Sequence, residues 1–354
     1  MIGWNDVYKV VVAMVPLYVP LILGYGSVKW WHMFNPEQCE AINRMNCYFI
    51  YPLFMFEFTT HINPFNMNYL FVAGDVIAKC FLGLVLGGWT YFFSERYEWF
   101  VTGFSISAIN NTSIVGLPLV GAMYGSLGEE LVIQSALLQL IIWVMILLFM
   151  LEVRRARQSF ESVSAIEVSG KDLEENIGVQ VNDVRVVRPS TWAVIKIVLG
   201  KLAKNPNCHA CIAGFIWALV ASKWHFQMPS IIEGSITILS KAGIGTSMFC
   251  MGLFMALNEK IFACGAKATL LTMIFRFIMG PFSMGLACLA LGLRGQVLRI
   301  AIVQAALPPA VISFIYAKEY GLQADVTSTA VIFGTAISLP IVIAFYAILE
   351  WIDV

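Results

Sequence analysis

Long apolar runs separated by short polar connections make up most of this chain. A membrane-spanning helix needs about 20 apolar residues, and ten stretches come close to that length or exceed it. They lie near residues 7–27, 36–58, 68–93, 99–120, 128–151, 206–222, 229–256, 262–293, 297–317 and 325–350. The pattern predicts an all-α polytopic membrane protein with ten transmembrane helices.

One long polar stretch, 152–205, follows the fifth run and carries nine Lys/Arg and seven Asp/Glu residues. Its part at 158–178 is typical of a flexible linker, and Thr191 to Ala203 has the pattern of an amphipathic surface helix. The stretch separates a first five-helix unit, 1–151, from a second, 206–354. Because basic residues concentrate in cytoplasmic loops, we expect this loop to be cytoplasmic and both termini to be non-cytoplasmic.

The two units share short motifs at corresponding places. Since each unit has an odd number of spans, equivalent motifs predict a five-plus-five inverted repeat, the arrangement of many secondary transporters. The matching pairs are Lys29-Trp30-Trp31-His32 with Lys223-Trp224-His225, Ala108-Ile109-Asn110-Asn111 with Ala306-Leu307-Pro308-Pro309, and Tyr124-Gly125 with Tyr320-Gly321.

Composition supports a membrane protein and narrows its function. Hydrophobic residues occupy 59% of the 354 positions and charged residues 12%, and the mean hydropathy is +0.78. The net charge is zero, so nothing indicates a nucleic-acid partner. No nucleophile–base set, phosphate loop or haem motif occurs, and we expect neither an enzyme nor a cofactor.

The cysteines give no sign of a disulfide framework or a metal centre. Nearly all eight lie in apolar runs, which is typical of small buried hydrophobic residues. Cys208-His209-Ala210-Cys211 resembles a zinc-ligand cluster, but a second ligand pair is missing. No metal is therefore predicted.

The fourth and ninth runs contain helix breakers at equivalent places. Proline removes a helix donor and clashes with the preceding turn, and freed backbone groups inside a membrane must find partners in protein or water. Crossed broken helices form midplane sites in which half-helix N-termini face an anion. The alternative is that these residues only hydrogen-bond between helices or are ordinary features of membrane helices. The breakers are Asn110, Asn111, Gly116 and Pro118 in one run and Pro308 and Pro309 in the other.

Polar side chains inside the third and fifth runs have two interpretations each. Asp75 and Lys79 are four residues apart, so they share a helix face and can pair. They form either a proton- or conformation-linked relay beside the anion site or a structural pair that lets the helix insert. Gln139 contacts either the ligand or a neighbouring helix. The four other basic residues near spans, Lys241, Lys267, Arg276 and Arg299, are expected to snorkel to an interface.

At these positions the chain resembles the PIN-FORMED auxin efflux carriers of plants, most closely their short-loop members. The likeness covers nearly the whole chain except about 155–190. It is carried by Val15-Pro16-Leu17-Tyr18-Val19, Pro36-Glu37-Gln38-Cys39, Asn63-Pro64-Phe65, Asn205-Pro206-Asn207, Gln304-Ala305-Ala306-Leu307-Pro308, Phe314-Ile315-Tyr316-Ala317-Lys318-Glu319-Tyr320 and Ala330-Val331-Ile332-Phe333-Gly334.

The resemblance implies the crossed-helix fold shared by bile-acid symporters and sodium–proton antiporters. Spans one, two, six and seven would form a dimerising scaffold, and the rest would form a moving transport domain. It implies elevator-type uniport of indole-3-acetate from the cytoplasm, with the short loop favouring the endoplasmic reticulum over the plasma membrane. The site residues it implies are Asn111 for the carboxylate, Gln139, Val311, the pocket positions Met55 and Tyr51, and the supporting pair Asp75 and Lys79.

The chain departs from the family pattern at the site itself. Asn110 stands where the family usually has a proline, and Pro309 stands where it has a glutamine. Met55 replaces a small hydroxyl residue, and Tyr51 an aliphatic one. The Asn-Pro-Asn-x-Tyr motif ends in His209. We therefore carry two further hypotheses, an ion-coupled organic-anion transporter in which Asp75 titrates and a transport-deficient regulatory partner of related carriers.

Overall fold

Helices form almost all of the protein that the computed structural model describes, which is residues 4–61, 65, 67–92, 96–156, 158, 192, 195–196, 199–200, 203–257 and 265–352. Most of the predicted linker at 158–178 and of the amphipathic helix at 191–203 therefore lies outside the described residues. The same holds for Asn63, Pro64 and Cys264.

In the described part of the first unit there are six helices and three π-helical turns. Residues 144–156 continue α6 beyond the last of these turns. In chain order the elements are α1 (Trp4–Lys29), α2 (Pro36–Met45), a π turn (Asn46–Ile50), α3 (Tyr51–Thr60), α4 (Tyr69–Thr90), α5 (Arg96–Ala108), a π turn (Thr112–Gly116), α6 (Leu117–Leu138) and a π turn (Gln139–Trp143).

In the second unit the second helix is continuous and the third is interrupted by a π turn, whereas in the first unit the second is interrupted and the third is continuous. The elements of the second unit are α7 (Pro206–Trp224), α8 (Ser230–Leu257), α9 (Ala266–Ile274), a π turn (Phe275–Met279), α10 (Gly280–Ala290), α11 (Gly295–Ala305), α12 (Val311–Glu319) and α13 (Ala324–Ile352).

Each of the ten predicted runs is largely helical, but the end of the fourth run and the whole of the fifth lie in one continuous helical stretch, Thr112–Ala156. Five helices within the described residues are long and apolar enough to cross a membrane, which agrees with a polytopic membrane protein. They are Tyr69–Thr90, Thr112–Ala156, Ser230–Leu257, Ala266–Ala290 and Ala324–Ile352. The count of ten spans and the five-plus-five inverted repeat remain predictions.

Asparagine–proline pairs start helices α2 and α7. The Asn35 side chain accepts from the Gln38 N–H at 2.8 Å, and the Gln38 side chain accepts from the Asn35 N–H at 3.0 Å. At α7 the Asn205 side chain accepts from the Asn207 N–H at 2.9 Å. Both pairs satisfy donors that a helix start leaves open, and proline fits the first turn because its missing N–H has no partner there.

The two Tyr–Gly turns lie at comparable places. Gly125 divides α6 with φ 64°, and Gly321 ends α12 with φ 60°, a conformation that glycine adopts without strain. The Tyr320 hydroxyl donates to the Glu152 carboxylate at 2.6 Å. Burial, and then this carboxylate, raise the pKa of Tyr320. The Tyr124 ring packs edge-on against Tyr346 of α13, with the ring centres 5.5 Å apart.

Helix packing falls into two groups. In the first, α1 packs along α8, while α3 packs against α7 and α8. In the second, α10 packs between α4 and α11, α4 packs on α5, and α12 packs on α13. The first group contains helices of the predicted scaffold and the second contains helices of the predicted transport domain, and α1 also packs on α6. The division into scaffold and transport domain remains a prediction. The broken helices belong to the second group and form the candidate site.

Candidate functional site

Two extended segments cross where α5 and α11 stop. Asn110 and Pro309 form an isolated antiparallel bridge. The Asn111 N–H donates to the Pro308 carbonyl at 2.8 Å, and the Ala310 N–H donates to the Ile109 carbonyl at 3.0 Å. The predicted breaks therefore meet, and the helix opens at Asn110 although no proline stands there.

Gly116 and Pro118 lie beyond this break rather than in it. Gly116 ends the π turn that follows the crossing, and Pro118 occupies the first turn of α6. A Cβ on Gly116 would lie 2.6 Å from the Leu307 side chain. The absence of a side chain at Gly116 thus allows Leu307, in the other crossing segment, to lie close to the π turn.

Asn111 presents a buried donor at the start of a helix. It is 5% exposed and is the N-cap of the π turn that begins at Thr112. Its Nδ2 is buried and has no hydrogen-bond partner within the described structure. Since the first N–H groups of a helix also lack intrahelical partners, this end is suited to an anion.

Val311 begins the helix that resumes on the other side of the crossing. Ala310 caps that helix without a side-chain hydrogen bond. The positive ends of two helices therefore lie on either side of one antiparallel bridge, at Thr112 and Val311. An arrangement of this kind favours negative charge between the two ends.

Gln139 pairs with the backbone of Asn110 through both ends of its amide. The Asn110 N–H donates to Gln139 Oε1 at 2.8 Å, and Gln139 Nε2 donates to the Asn110 carbonyl at 2.6 Å. A proline would offer only the carbonyl. Of the two interpretations of Gln139, the structure shows the interhelical bond, which holds the open segment in place.

Arg276 is the residue that sequence reasoning missed. The prediction that it snorkels is wrong, because its side chain is 0% exposed. Its guanidinium donates to the Leu307 carbonyl through Nε at 2.6 Å and also through Nη2, and through Nη1 to the Ser107 carbonyl and to Asn110 Oδ1, both at 2.7 Å. Its place near the middle of the run 262–293 was the available signal, since a side chain at that depth is far from either interface.

The other three basic residues differ from Arg276. Lys241 and Lys267 are exposed, as snorkelling requires. Arg299 pairs with Glu350 through Nη1 at 2.8 Å. Only Arg276 of these four reaches the crossing.

The predicted pocket residues Tyr51 and Met55 lie together on α3. Met55 is 2% exposed and belongs to a cluster with Phe54, Ala136 and Leu137. Tyr51 packs on the same cluster. The cluster places an apolar wall between α3 and the segment that leads to Gln139.

Asp75 and Lys79 form a buried pair on the other side of the crossing. Lys79 Nζ lies 3.1 Å from Asp75 Oδ1. The Trp143 indole N–H donates to Asp75 Oδ2 at 2.9 Å, and Lys79 Nζ lies 5.2 Å from the centre of the Trp143 ring. The pair lines a narrow cavity together with Ser107 and Asn110. One π turn, Gln139–Trp143, thus contacts both the crossing and the charged pair.

Replacing Trp143 with phenylalanine tests this support. The variant keeps a ring beside Lys79 but leaves Asp75 Oδ2 without its indole donor, at a cost of about 1–3 kcal/mol. We expect a lower midpoint in thermal unfolding of the purified protein. Trp224→Phe is the control, because Trp224 is 56% exposed. Equal shifts in the two variants would contradict a supporting role for Trp143.

Comparison with known proteins places the whole chain in one family. The model of the family described as "Membrane transport protein" matches residues 9–346. Auxin efflux carrier component 5 of Arabidopsis thaliana is 52% identical over 353 residues, covering 99% of this chain and all of the relative. Probable auxin efflux carrier component 5a of Oryza sativa subsp. japonica is 49% identical, and auxin efflux carrier component 8 of Arabidopsis thaliana is 38% identical, with the same coverage.

Proposed function

The chain belongs to the membrane transport protein family, alongside the short plant auxin efflux carriers, and on that premise we propose that it carries indole-3-acetate or a similar aromatic carboxylate out of the cytoplasm. The family is one of transport proteins and not of enzymes. Its relatives of full matching length are named auxin efflux carriers, which supports auxin as the substrate.

The observation that carries this proposal is the unpartnered amide of Asn111 beside two helix N-termini. Indole-3-acetate joins a carboxylate to a flat apolar ring. The carboxylate would accept from Asn111 Nδ2, which is buried without a partner in the described structure, and from the N–H groups at Thr112 and Val311. The ring would pack on the wall formed by Tyr51 and Met55.

Elevator-type movement is the mechanism that we propose for this carrier. The packing of α1 along α8 and of α3 on α7 and α8 supports it. These four helices would form a scaffold that dimerises. The corresponding Tyr–Gly turns at Gly125 and Gly321 support a five-plus-five inverted repeat. The other group would then carry the crossing from one side of the membrane to the other.

The endoplasmic reticulum is the membrane that we propose for the protein. The loop at 152–205 is short, and its basic residues favour a cytoplasmic location, which leaves both termini on the lumenal side. Transport would then run from the cytoplasm to the lumen.

Uniport is supported over ion coupling by the contacts of Asp75. Both of its carboxylate oxygens are engaged, Oδ1 by Lys79 and Oδ2 by Trp143. Lys79 thereby supplies a fixed cation where an ion-coupled carrier would bind a mobile one. The open crossing at Asn111 and Val311 supports transport over a purely regulatory role.

Labelled indole-3-acetate flux in vesicles that contain this chain tests the proposal. We expect uptake above that of vesicles without the chain, driven by the substrate gradient and the voltage. Collapsing the sodium gradient and the proton gradient separately, at fixed voltage, should leave this uptake unchanged. Absence of flux above background would refute auxin transport, and dependence on either gradient would favour coupling through Asp75.

A further inference from the structure

The charges at the crossing do not cancel. A helix carries about half a positive charge at its N-terminus and about half a negative charge at its C-terminus. Two of each converge here, so the four ends together add roughly zero. Asp75 and Lys79 form an ion pair and also cancel. Arg276 then leaves the described part of the crossing with one net positive charge.

Arg276 is held at the negative ends. It donates to Ser107 in the last turn of α5 and to Leu307 just beyond α11. Its positive charge offsets the partial negative charge of these carbonyl groups. That negative charge would otherwise weaken the attraction of an anion to the positive helix ends at Thr112 and Val311. The third partner of Arg276 is Asn110 Oδ1, and Asn110 precedes the residue that we assign to the carboxylate.

We propose that Arg276 is a positioning residue that acts as the built-in counter-charge of the transported carboxylate. The inference rests on the proposed function and deepens it. Arg276 does not need to touch the substrate, because its charge acts through Asn110 and through the helix ends that it neutralises. The site is therefore matched to a ligand with one negative charge, and the loaded crossing is neutral where it lies deepest in the membrane, which lowers the cost of burial.

Two substitutions at Asn110 separate the effect of the Arg276 charge from the effect of a lost packing contact. Asn110 Nδ2 donates to the Gln304 carbonyl at 3.0 Å, while Asn110 Oδ1 accepts from Arg276. Asn110→Ala and Asn110→Asp both remove the bond to Gln304. Only the aspartate also places a negative charge against Arg276, so the difference between the two variants reports the charge.

The experiment compares a carboxylate with its neutral amide. Dissociation constants for indole-3-acetate and indole-3-acetamide are measured on the purified full-length chain. We expect wild type to prefer the acid by at least about tenfold, which corresponds to about 1.4 kcal/mol. Arg276→Gln and Asn110→Asp should abolish that preference. Arg276→Lys and Asn110→Ala should retain it, even where transport slows.

Each result bears on one of the two proposals. If Arg276→Gln does not fold, the comparison of Asn110→Asp with Asn110→Ala decides the matter. The counter-charge role of Arg276 is refuted if Asn110→Asp still prefers the acid. It is also refuted if Asn110→Ala loses the preference as fully as Asn110→Asp does. If the wild-type protein binds neither indole compound, the proposal that auxin is the substrate is refuted. Benzoate and benzamide are then used as the acid and amide in the same measurement. The counter-charge role of Arg276 is also refuted if the wild-type protein prefers neither indole-3-acetate over its amide nor benzoate over benzamide.

Discussion

Asn111→Ala is expected to abolish most indole-3-acetate flux. The side chain is buried at the start of the helix that follows the crossing, and its amide donor is unpartnered in the described structure. Losing a hydrogen bond to a charged group costs roughly 1.5–3 kcal/mol, which is about tenfold or more in affinity. The measurement is the initial rate of labelled flux as a function of substrate concentration. We expect the apparent KM to rise at least about tenfold.

Asn46→Ala is the matched control for the loss of a buried asparagine. Asn46 lies in the π turn between α2 and α3, donates to Ser247 at 3.2 Å and accepts from Thr246 at 2.8 Å. Its amide is used within the scaffold, so removing it should lower stability without changing KM. An unchanged KM in Asn111→Ala, at equal amounts of folded protein, would remove Asn111 from the carboxylate site.

Gly252→Ala is expected to have the largest effect on stability. Gly252 of α8 lies where α8 crosses α1, and a Cβ there would overlap the Leu21 carbonyl and lie 2.8 Å from the Tyr25 backbone nitrogen. Gly24 of α1 makes a similarly close approach to the Phe249 carbonyl. Small residues allow membrane helices to pack backbone against backbone. Because backbone cannot rotate away as a side chain can, the added methyl should cost roughly 1–3 kcal/mol or more.

Gly245→Ala, on the same helix, is the control. A Cβ at Gly245 meets no atom within 4 Å, and alanine is favoured over glycine inside a helix by about 1 kcal/mol. Thermal unfolding and size-exclusion profiles should show a lower midpoint or aggregation for Gly252→Ala alone. A midpoint for Gly252→Ala equal to that of wild type would mean that α1 and α8 do not pack as described.

The candidate site shows how far sequence reasoning extends. The helix breakers marked both crossing segments, because proline and paired asparagines are conspicuous in an apolar run. The same pattern extended the break to Gly116 and Pro118, which lie in the helix beyond it. Arg276 was misplaced although its position near the middle of the run 262–293 is far from either interface, and its partners could be seen only in the packed helices.

Asn110 could not be interpreted from sequence either. Its role depends on Gln139, Gln304 and Arg276, which come from other helices. No spacing rule relates these residues, because each contact depends on how whole helices pack. In place of a helix-breaking proline, Asn110 makes four hydrogen bonds to these three residues, which keep the segment open.

The sequence by itself determined that the chain is helical and built for a membrane, where the helices begin, and where two of them break. These properties follow from local physics, since apolar length, caps and proline act within a few residues. Only the tertiary structure decided that the two breaks cross and that one buried arginine joins both negative helix ends. It also decided that the Asn111 amide donor has no partner among the described residues while that of Asn110 has one. Those outcomes depend on contacts between residues more than a hundred positions apart, such as Arg276 with Ser107 and Asn110, which only the packed helices bring together.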